Sequence, residues 1–288
     1  MQHNTPLSTH FKDKHIWFDI AVLAAFFVIA HYFPILKIVP LVGSLELFSF
    51  FCFHLLAKRS RFQLQGFLGG FISSTAVFLQ TLNESKFSST NERELMLTLL
   101  FAICAMLLEC LFIIFFLSDN TPYVYYLPFA VQLACIVLAI GYINTSSRFD
   151  KQAPSSTPAD IELLNDHPII WKNVAKLSLL ILALVAAMNF IGNDLGLSKG
   201  LSTFAISLFE AHAILASVMT QWSMQSQSSD LMPLLFLILL GSTISKTFLA
   251  YKGPNLPKKR FFITIMLTSL GASVVITLIA QYTYELLF

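Results

Sequence analysis

Long apolar runs separated by short polar stretches dominate the chain. A helix needs about 20 apolar residues to cross the hydrocarbon core of a bilayer, and nine runs come near that length. They cover residues 16–36, 39–57, 63–82, 95–118, 122–143, 169–191, 201–221, 231–251 and 261–286. The pattern therefore predicts an all-α, polytopic integral membrane protein with about nine transmembrane helices.

The composition agrees with this prediction. Hydrophobic residues make up 56% of the chain and charged residues 12%, with a mean hydropathy of +0.72, so the lipid bilayer is the expected environment for most of the chain. The net charge of +2 and the placement of basic residues in loops argue against nucleic-acid binding. The four cysteines lie in apolar runs without a CxxC pair, which predicts neither disulfides nor a metal site. Because GxSxG and HExxH motifs and a phosphate-binding glycine loop are absent, an enzyme is disfavoured and no cofactor is expected.

Two segments of similar sequence suggest an internal repeat. Residues 70–76 (GFISSTA) align without a gap with residues 207–213 (SLFEAHA), at an offset of 137. The resulting division is an N-terminal tail with an extra helix (1–38), a first four-helix repeat (39–143), a linker loop rich in Ser, Pro and Thr (144–168) and a second four-helix repeat (169–288). The offset is four runs, an even number, so the two repeats are predicted to be parallel, related by an axis along the membrane normal.

The basic residues predict the orientation. With nine crossings, ten Lys and Arg residues flank one side and seven the other, which favours a cytoplasmic N-terminus and an external C-terminus. Runs 63–82 and 201–221 are the least hydrophobic of the nine, as expected of helices surrounded by other helices. A re-entrant hairpin is the alternative for these two runs.

A face of small residues marks the run at 63–82. Gly66, Gly69, Gly70 and Ser74 recur at helical spacing, which predicts close packing against another helix. Alternatively, exposed backbone carbonyls and the hydroxyls of Ser73, Ser74 and Thr75 line a polar cavity.

Ionisable residues inside apolar runs are the candidates for function, because each is costly in lipid. Glu109 and Lys246 follow Ser73 and Glu210 by the same 36 residues, so they occupy equivalent places and are predicted to form a salt bridge; alternatively Lys246 extends toward the cytoplasmic interface and Glu109 is protonated. Glu210 and His212 lie about 200° apart on a regular helix and converge only if the helix is broken, while a lone intramembrane His is often a packing residue. The full polar centre is predicted to contain Ser73, Thr75, Glu109, Glu210, His212, Ser242 and Lys246, with no metal.

Three segments resemble a known family. GFLGGFISSTAV (66–77), ISLFEAHAILAS (206–217) and GSTISKTFLAY (241–251) are similar to the uncharacterised bacterial membrane domain usually found C-terminal to an MgtC/SapB domain, from the second run to the ninth. In that family the place of Glu109 is usually basic and those of Glu210 and His212 are both acidic, whereas Lys246 is retained. The resemblance implies a protein of the bacterial inner membrane connected with ion homeostasis.

These observations favour ion or small-solute transport, or ion homeostasis, through a polar site between the repeats. One alternative is a regulatory protein that binds another membrane protein, or a second copy of itself, through the Gly/Ser face. A weaker alternative is a membrane-embedded enzyme that uses Glu210 and His212.

Overall fold

The computed structural model describes residues 14–32, 61–84, 92–117, 122–146, 199–224, 231–253 and 258–287, together with isolated positions between 39 and 47 and between 175 and 183. All regular structure in these residues is helical, which confirms the all-α prediction for this part of the chain. The helices are α1 (Lys14–Tyr32), α2 (Arg61–Glu84), α3 (Glu92–Leu117), a 3-10 turn (Tyr123–Tyr125), α4 (Leu127–Thr145), α5 (Lys199–Ser207), α6 (Ala211–Met224), α7 (Leu231–Lys252) and α8 (Lys259–Leu287).

Four of these helices are long and apolar enough to cross a membrane. They are Arg93–Leu117, Leu127–Thr145, Leu231–Lys252 and Lys259–Tyr284, which correspond to four of the predicted runs, and a shorter apolar helix covers Ile16–Ala30. The predicted runs at 39–57 and 169–191 and the loop at 144–168 lie largely outside the described residues. The chain therefore has the helices of a polytopic membrane protein.

The two least hydrophobic runs do not form continuous helices. Within α2, Ser73 has an extended backbone (φ −165°, ψ 108°), which divides the helix into residues 61–72 and 74–84. The run at 201–221 is likewise divided, because α5 ends at Ser207 and α6 begins at Ala211. Each of these two runs therefore contains a break, which for the second run is the condition under which Glu210 and His212 can converge.

The bend in α2 is sharp. Residues eight apart in a straight helix are separated by about 12 Å along the axis. A Cβ built on Gly69 would lie 2.6 Å from Cγ2 of Val77, so the two halves of α2 turn back toward each other. Gly69 thus packs against the other half of its own helix, across the bend. Among the described residues, no neighbouring helix lies where its side chain would be.

The first half of α2 packs closely along α3. A Cβ on Gly66 would collide with the backbone of Thr98, and a Cβ on Gly70 would lie 2.6 Å from the carbonyl oxygen of Ala102. From the first contact to the second, the residue number rises by four in both helices, so residues 61–72 run parallel to α3. The small residues on this face therefore allow two backbones to touch, as close packing requires.

A similar contact joins α5 to α7. Gly200 near the start of α5 lies beside Leu237, while Ser207 at its end lies against Gly241, where a Cβ would collide with the Ser207 hydroxyl. The Ser207 hydroxyl also donates to the carbonyl of Phe204 at 2.7 Å. Residue numbers again rise in both helices from the first contact to the second, so α5 runs parallel to α7.

Helices α4 and α8 pack in opposite directions. Tyr123, just before α4, contacts Tyr284 near the end of α8, and Tyr142 near the end of α4 contacts Phe261 at the start of α8. Between these contacts, the Ser273 hydroxyl donates to the carbonyl oxygen of Pro128 at 2.6 Å. At the offset of 137, residues 127–145 of α4 correspond to residues 264–282, which lie within α8, and these two helices run in opposite directions.

Helix α3 lies at the centre of the described helices. Two thirds (67%) of its most apolar window is buried inside the protein, against 44% for α7 and less for α4 and α8. It packs against α2, α4 and α6. A side chain in the middle of α3 is therefore shielded from lipid by protein.

Candidate polar centre

The interruptions of α2 and of α5–α6 lie against each other. The Ser73 hydroxyl donates to Oε1 of Glu210 in a short hydrogen bond. The Thr75 hydroxyl donates to the backbone carbonyl oxygen of Phe209 at 2.8 Å. Ser73 and Glu210 are separated by 137 residues, the offset at which the sequence aligns with itself. The structure thus brings two corresponding interruptions into direct contact.

Each interruption places a polar side chain before a new helix. Ser73 Oγ accepts a hydrogen bond from the backbone N–H of Ala76 at 3.2 Å, which is the usual N-cap contact. Glu210 directly precedes α6. The free N–H groups at a helix N-terminus carry partial positive charge and stabilise a nearby carboxylate. The interruptions therefore supply both hydrogen-bond donors and a favourable potential for the charge of Glu210.

Three ionisable groups meet beside this contact. The Nδ1 atom of His212 lies 3.4 Å from Oε2 of Glu210 and 3.7 Å from Oε2 of Glu109. The side chains of His212 and Glu109 are 1% and 2% exposed, whereas Glu210 is 23% exposed. Because the helix is interrupted at Glu210, this residue and His212 converge, as the sequence allowed only for a broken helix.

Lys246 is a fourth buried ionisable group, only 2% exposed. Its Nζ atom donates to Oγ of Ser242 at 2.7 Å, and Ser242 in turn contacts the sulfur atom of Met106 at 3.2 Å. Within the described residues, Lys246 and Glu109 form no direct salt bridge; the ionic neighbour of Glu109 is His212. The predicted Glu109–Lys246 pair is therefore wrong, and so is the alternative in which Lys246 extends to the interface.

Glu210 lies near the other ionisable groups of the cluster. Its carboxyl group is close enough to Glu109, His212 and Lys246 for electrostatic interaction with each of them. This agrees with its position at the interruption, between α3 and α7. Glu109 follows Ser73, and Lys246 follows Glu210, by the same 36 residues. In the structure both lie near Glu210, but they do not form a salt bridge with each other.

A buried glutamine belongs to the same region but does not stand out in the sequence. Gln132 in α4 is buried, and its Nε2 atom donates to the hydroxyl of Thr243 at 3.1 Å. A single amide inside the apolar run at 122–143 is the signal that identifies it. This contact links α4 to α7 one residue from Ser242. Ser74, next to the α2 interruption, is also buried.

Several atoms of this cluster have no hydrogen-bond partner among the described residues. They are Oε2 of Glu109, Oε2 of Glu210 and both ring nitrogens of His212. Buried polar atoms are nearly always paired, so this group of unpaired atoms makes the cluster the candidate functional site. No three His, Cys, Asp or Glu side chains in the described ranges are arranged to hold a metal ion.

Comparison with known proteins defines the family. Neither the curated proteins nor the solved structures contain a significant match to the chain. One family model does match, and it covers residues 41–253, a segment that includes every residue of the polar centre. The match says nothing of an MgtC/SapB neighbour. Since the matched segment is well over half of the chain, the protein belongs to the family described as Domain of unknown function (DUF4010).

Proposed function

We propose that this protein is an inner-membrane transporter of an ion or small solute, which binds at the polar centre between two inverted halves. The observation that supports this best is the contact between two helix interruptions beside buried Glu109, His212 and Lys246. Transporters commonly bind their substrates where discontinuous helices meet, since helix ends supply donors and acceptors at a depth where lipid supplies none.

The first part of this proposal is that α2 is a re-entrant hairpin. Its first half runs parallel to α3, with Gly70 beside Ala102 and Ala105. If residues 74–84 continued in that direction, residue 84 would lie about 35 to 40 Å along the axis from residue 92, at 1.5 Å per residue. Seven intervening residues span at most about 29 Å. Residues 74–84 therefore return to the side from which α2 entered, which agrees with the sharp bend at Gly69.

The segment α5–α6 forms the corresponding hairpin. Helix α5 runs parallel to α7, and only residues 225–230 separate α6 from α7. The two hairpins would enter from opposite sides, because the equivalent helices α4 and α8 are antiparallel. The repeats are then inverted, related by an axis in the membrane plane, and an offset of 137 superposes α2, α3 and α4 on α5–α6, α7 and α8.

The distribution of basic residues supports this topology. Two hairpins reduce the nine crossings to seven and leave the N-terminus inside and the C-terminus outside. Fifteen Lys and Arg residues then flank the cytoplasmic side and two the external side, whereas nine crossings give ten and seven. The cytoplasmic set is Lys12, Lys14, Lys58, Arg59, Arg61, Lys86, Arg93, Arg148, Lys151, Lys172, Lys176, Lys252, Lys258, Lys259 and Arg260, and the external set is Lys37 and Lys199.

The alternative of a regulatory protein with an open Gly/Ser groove has less support. The groove residues Gly66 and Gly70 are covered by the backbone of α3 in the same chain. The hydroxyls of Ser73 and Thr75 are directed to the second hairpin and not to an external partner. Transport is accordingly the function that the arrangement favours.

Flux in proteoliposomes tests the transport proposal. Purified protein is reconstituted, and gradients of Na⁺, K⁺, Li⁺, Mg²⁺ and a panel of small organic solutes are imposed while charge movement is recorded on a solid-supported membrane and neutral solutes are followed by isotope uptake. We expect at least one gradient to give a signal above protein-free liposomes. Glu210→Gln should reduce it at least tenfold, while Glu94→Gln, about four turns from Glu109 on the same helix, should leave it intact. Signals equal to those of empty liposomes for every member of the panel would reject the proposal.

A further inference from the structure

We propose that the exposed face of α7 and the basic start of α8 form a binding site for an anionic phospholipid, with its acyl chains along α7 and its phosphate beside Lys252 and Lys259. This site is separate from the polar centre, and it does not depend on transport. The inference follows from the positions of two ammonium groups at the end of an exposed apolar stripe.

Helix α7 has one buried and one exposed face. The buried face carries Ser242 and Lys246 of the polar centre. The exposed face carries large apolar side chains at helical spacing, namely Leu240, Ile244, Phe248 and Tyr251. They recur at intervals of four, four and three residues, so they form one continuous stripe along the helix. At the surface of a membrane protein, such a stripe contacts the acyl chains of lipids.

Two ammonium groups lie where this stripe ends. The Nζ atom of Lys252, the last residue of α7, lies 5.8 Å from the centroid of the Phe248 ring, so this side chain turns back along the stripe. The Nζ atom of Lys259, the first residue of α8, donates to the backbone carbonyl oxygen of Tyr251 at 3.4 Å. Both positive charges are therefore beside the last turn of the stripe, as the headgroup of a lipid on this face requires.

No acidic residue opposes these charges in the surrounding sequence. Residues 231–284 contain five basic residues and neither Asp nor Glu. One of the five, Lys246, is buried, and the others lie at the connection between α7 and α8: Lys252, Lys258, Lys259 and Arg260. An anionic phospholipid supplies a negative charge for this basic cluster and apolar chains for the stripe, whereas free phosphate supplies only the charge.

Aromatic side chains mark this end of the helices as a membrane interface. Tyr251 is 64% exposed. Tyr142, exposed near the end of α4, contacts the ring of Phe261 at the start of α8. Tyr side chains are enriched where the hydrocarbon core meets the lipid headgroups. The basic cluster beside them is therefore at the depth of the headgroups.

Thermal unfolding of delipidated protein in detergent tests this inference. The probes are phosphatidylglycerol, which is anionic, phosphatidylcholine, which is zwitterionic, and two phosphates without acyl chains, inorganic phosphate and glycerol 3-phosphate. We expect saturating phosphatidylglycerol to raise Tm by about 5 °C or more and the other three probes to leave Tm unchanged. An equal increase with phosphatidylcholine would overturn the proposal, because the site would not select charge. An equal increase with either chain-free phosphate would reject it in favour of an ion site. These comparisons use the wild-type protein, so they do not depend on the folding of a variant.

Charge-removing variants locate the site. Lys252→Gln and Lys259→Gln should each weaken phosphatidylglycerol binding about fivefold, measured as the lipid concentration that gives half of the maximal Tm increase. Lys199→Gln is the matched control, because Lys199 precedes Gly200, which lies beside Leu237, about 20 Å along α7 from Lys252. This control should retain the wild-type affinity. Unchanged affinity in both Lys252→Gln and Lys259→Gln, or an equal loss in Lys199→Gln, would contradict a site at the connection between α7 and α8.

Discussion

Replacement of Gly70 with alanine should push α2 away from α3. A Cβ at this position would lie 2.6 Å from the carbonyl oxygen of Ala102, 2.7 Å from its Cα and 2.9 Å from Cβ of Ala105. Ordinary contacts begin at 3.4 Å, so the shortest of these contacts, at 2.6 Å, must lengthen by about 0.8 Å. The atoms of Ala102 belong to the backbone, so a side-chain rotation does not relieve the collision.

The magnitude follows from two opposing effects. Overpacking of a well-packed contact costs about 1 to 3 kcal/mol. Alanine in a helix is more favourable than glycine by about 1 kcal/mol, which offsets part of this cost. We therefore expect Gly70→Ala to lower the free energy of unfolding by up to about 2 kcal/mol, and by about 1 to 3 kcal/mol relative to a helical Gly→Ala change in open space. Since 1 kcal/mol shifts Tm by about 2 to 4 °C in domains of 150 to 250 residues, Tm should lie several degrees below that of such an open-space variant.

Thermal unfolding in detergent measures this effect. The free thiols of Cys104 and Cys110 are buried in α3, so in a background in which Cys52 and Cys135 are replaced by alanine a thiol-reactive dye reports when this helix becomes exposed. Gly141→Ala in α4 is the matched control, because a Cβ on Gly141 would meet no atom within 4 Å, and it should leave Tm unchanged or raise it. If Gly70→Ala were as stable as Gly141→Ala, the close approach of α2 and α3 would be refuted.

Three further predictions use the same thermal assay. Ser73→Ala removes a helix cap and the hydrogen bond to Glu210, and should lower the free energy of unfolding by about 1 to 2 kcal/mol. Ser73→Thr keeps the hydroxyl, so equal Tm values for the two variants would contradict the contact. Gln132→Leu removes a buried hydrogen bond between α4 and α7 and should cost about 1 kcal/mol, and an increase in Tm would show that this bond does not stabilise the fold. Gly241→Ala should destabilise through its collision with Ser207, unlike Gly271→Ala, which has open space; the reverse order would argue against the packing of α5 on α7.

Much of the helical framework could be predicted from the sequence. The runs at 95–118, 122–143, 231–251 and 261–286 are continuous and of bilayer length, so apolar composition alone determines these helices. The offset of 137 could also be read from the sequence, because residues 70–76 and 207–213 align without a gap. The structure places Ser73 and Glu210, one from each segment, in direct contact.

The positions of the interruptions and the direction of the helices could not be predicted in the same way. Ser73 becomes extended without a proline or a charge to mark it, and small residues are compatible with a continuous helix as well as with a bend. Whether a run of 20 residues crosses or returns depends on its packing against α3, and hydropathy contains no information about this contact. The predicted parallel relation of the repeats depends on four crossings in each half, so it does not hold if either of these two runs returns as a hairpin.

The predicted salt bridge between Glu109 and Lys246 was wrong for a related reason. Equal spacing shows that two residues are equivalent, but equivalent residues meet only if both lie on the symmetry axis. Here Ser73 and Glu210 are in direct contact, and Glu109 and Lys246 both lie near Glu210 without forming a salt bridge with each other. Glu109 and His212 lie together because the helix is interrupted at Glu210. From the sequence alone, such an interruption could be given only as the condition under which Glu210 and His212 converge.

The proposed topology, in which two hairpins enter the membrane from opposite sides, predicts the sidedness of three loops, and labelling measures this directly. Single cysteines are placed at Ser88, Ser155 and Asn255 in a variant without the natural cysteines, and intact cells are treated with a membrane-impermeant thiol reagent before and after permeabilisation. We expect all three to react only after permeabilisation, because 85–91, 144–168 and 254–257 are all cytoplasmic when α2 returns to its side of entry. Labelling of Ser88→Cys and Ser155→Cys in intact cells, with Asn255→Cys protected, would show that α2 crosses the membrane and would contradict the two-hairpin topology.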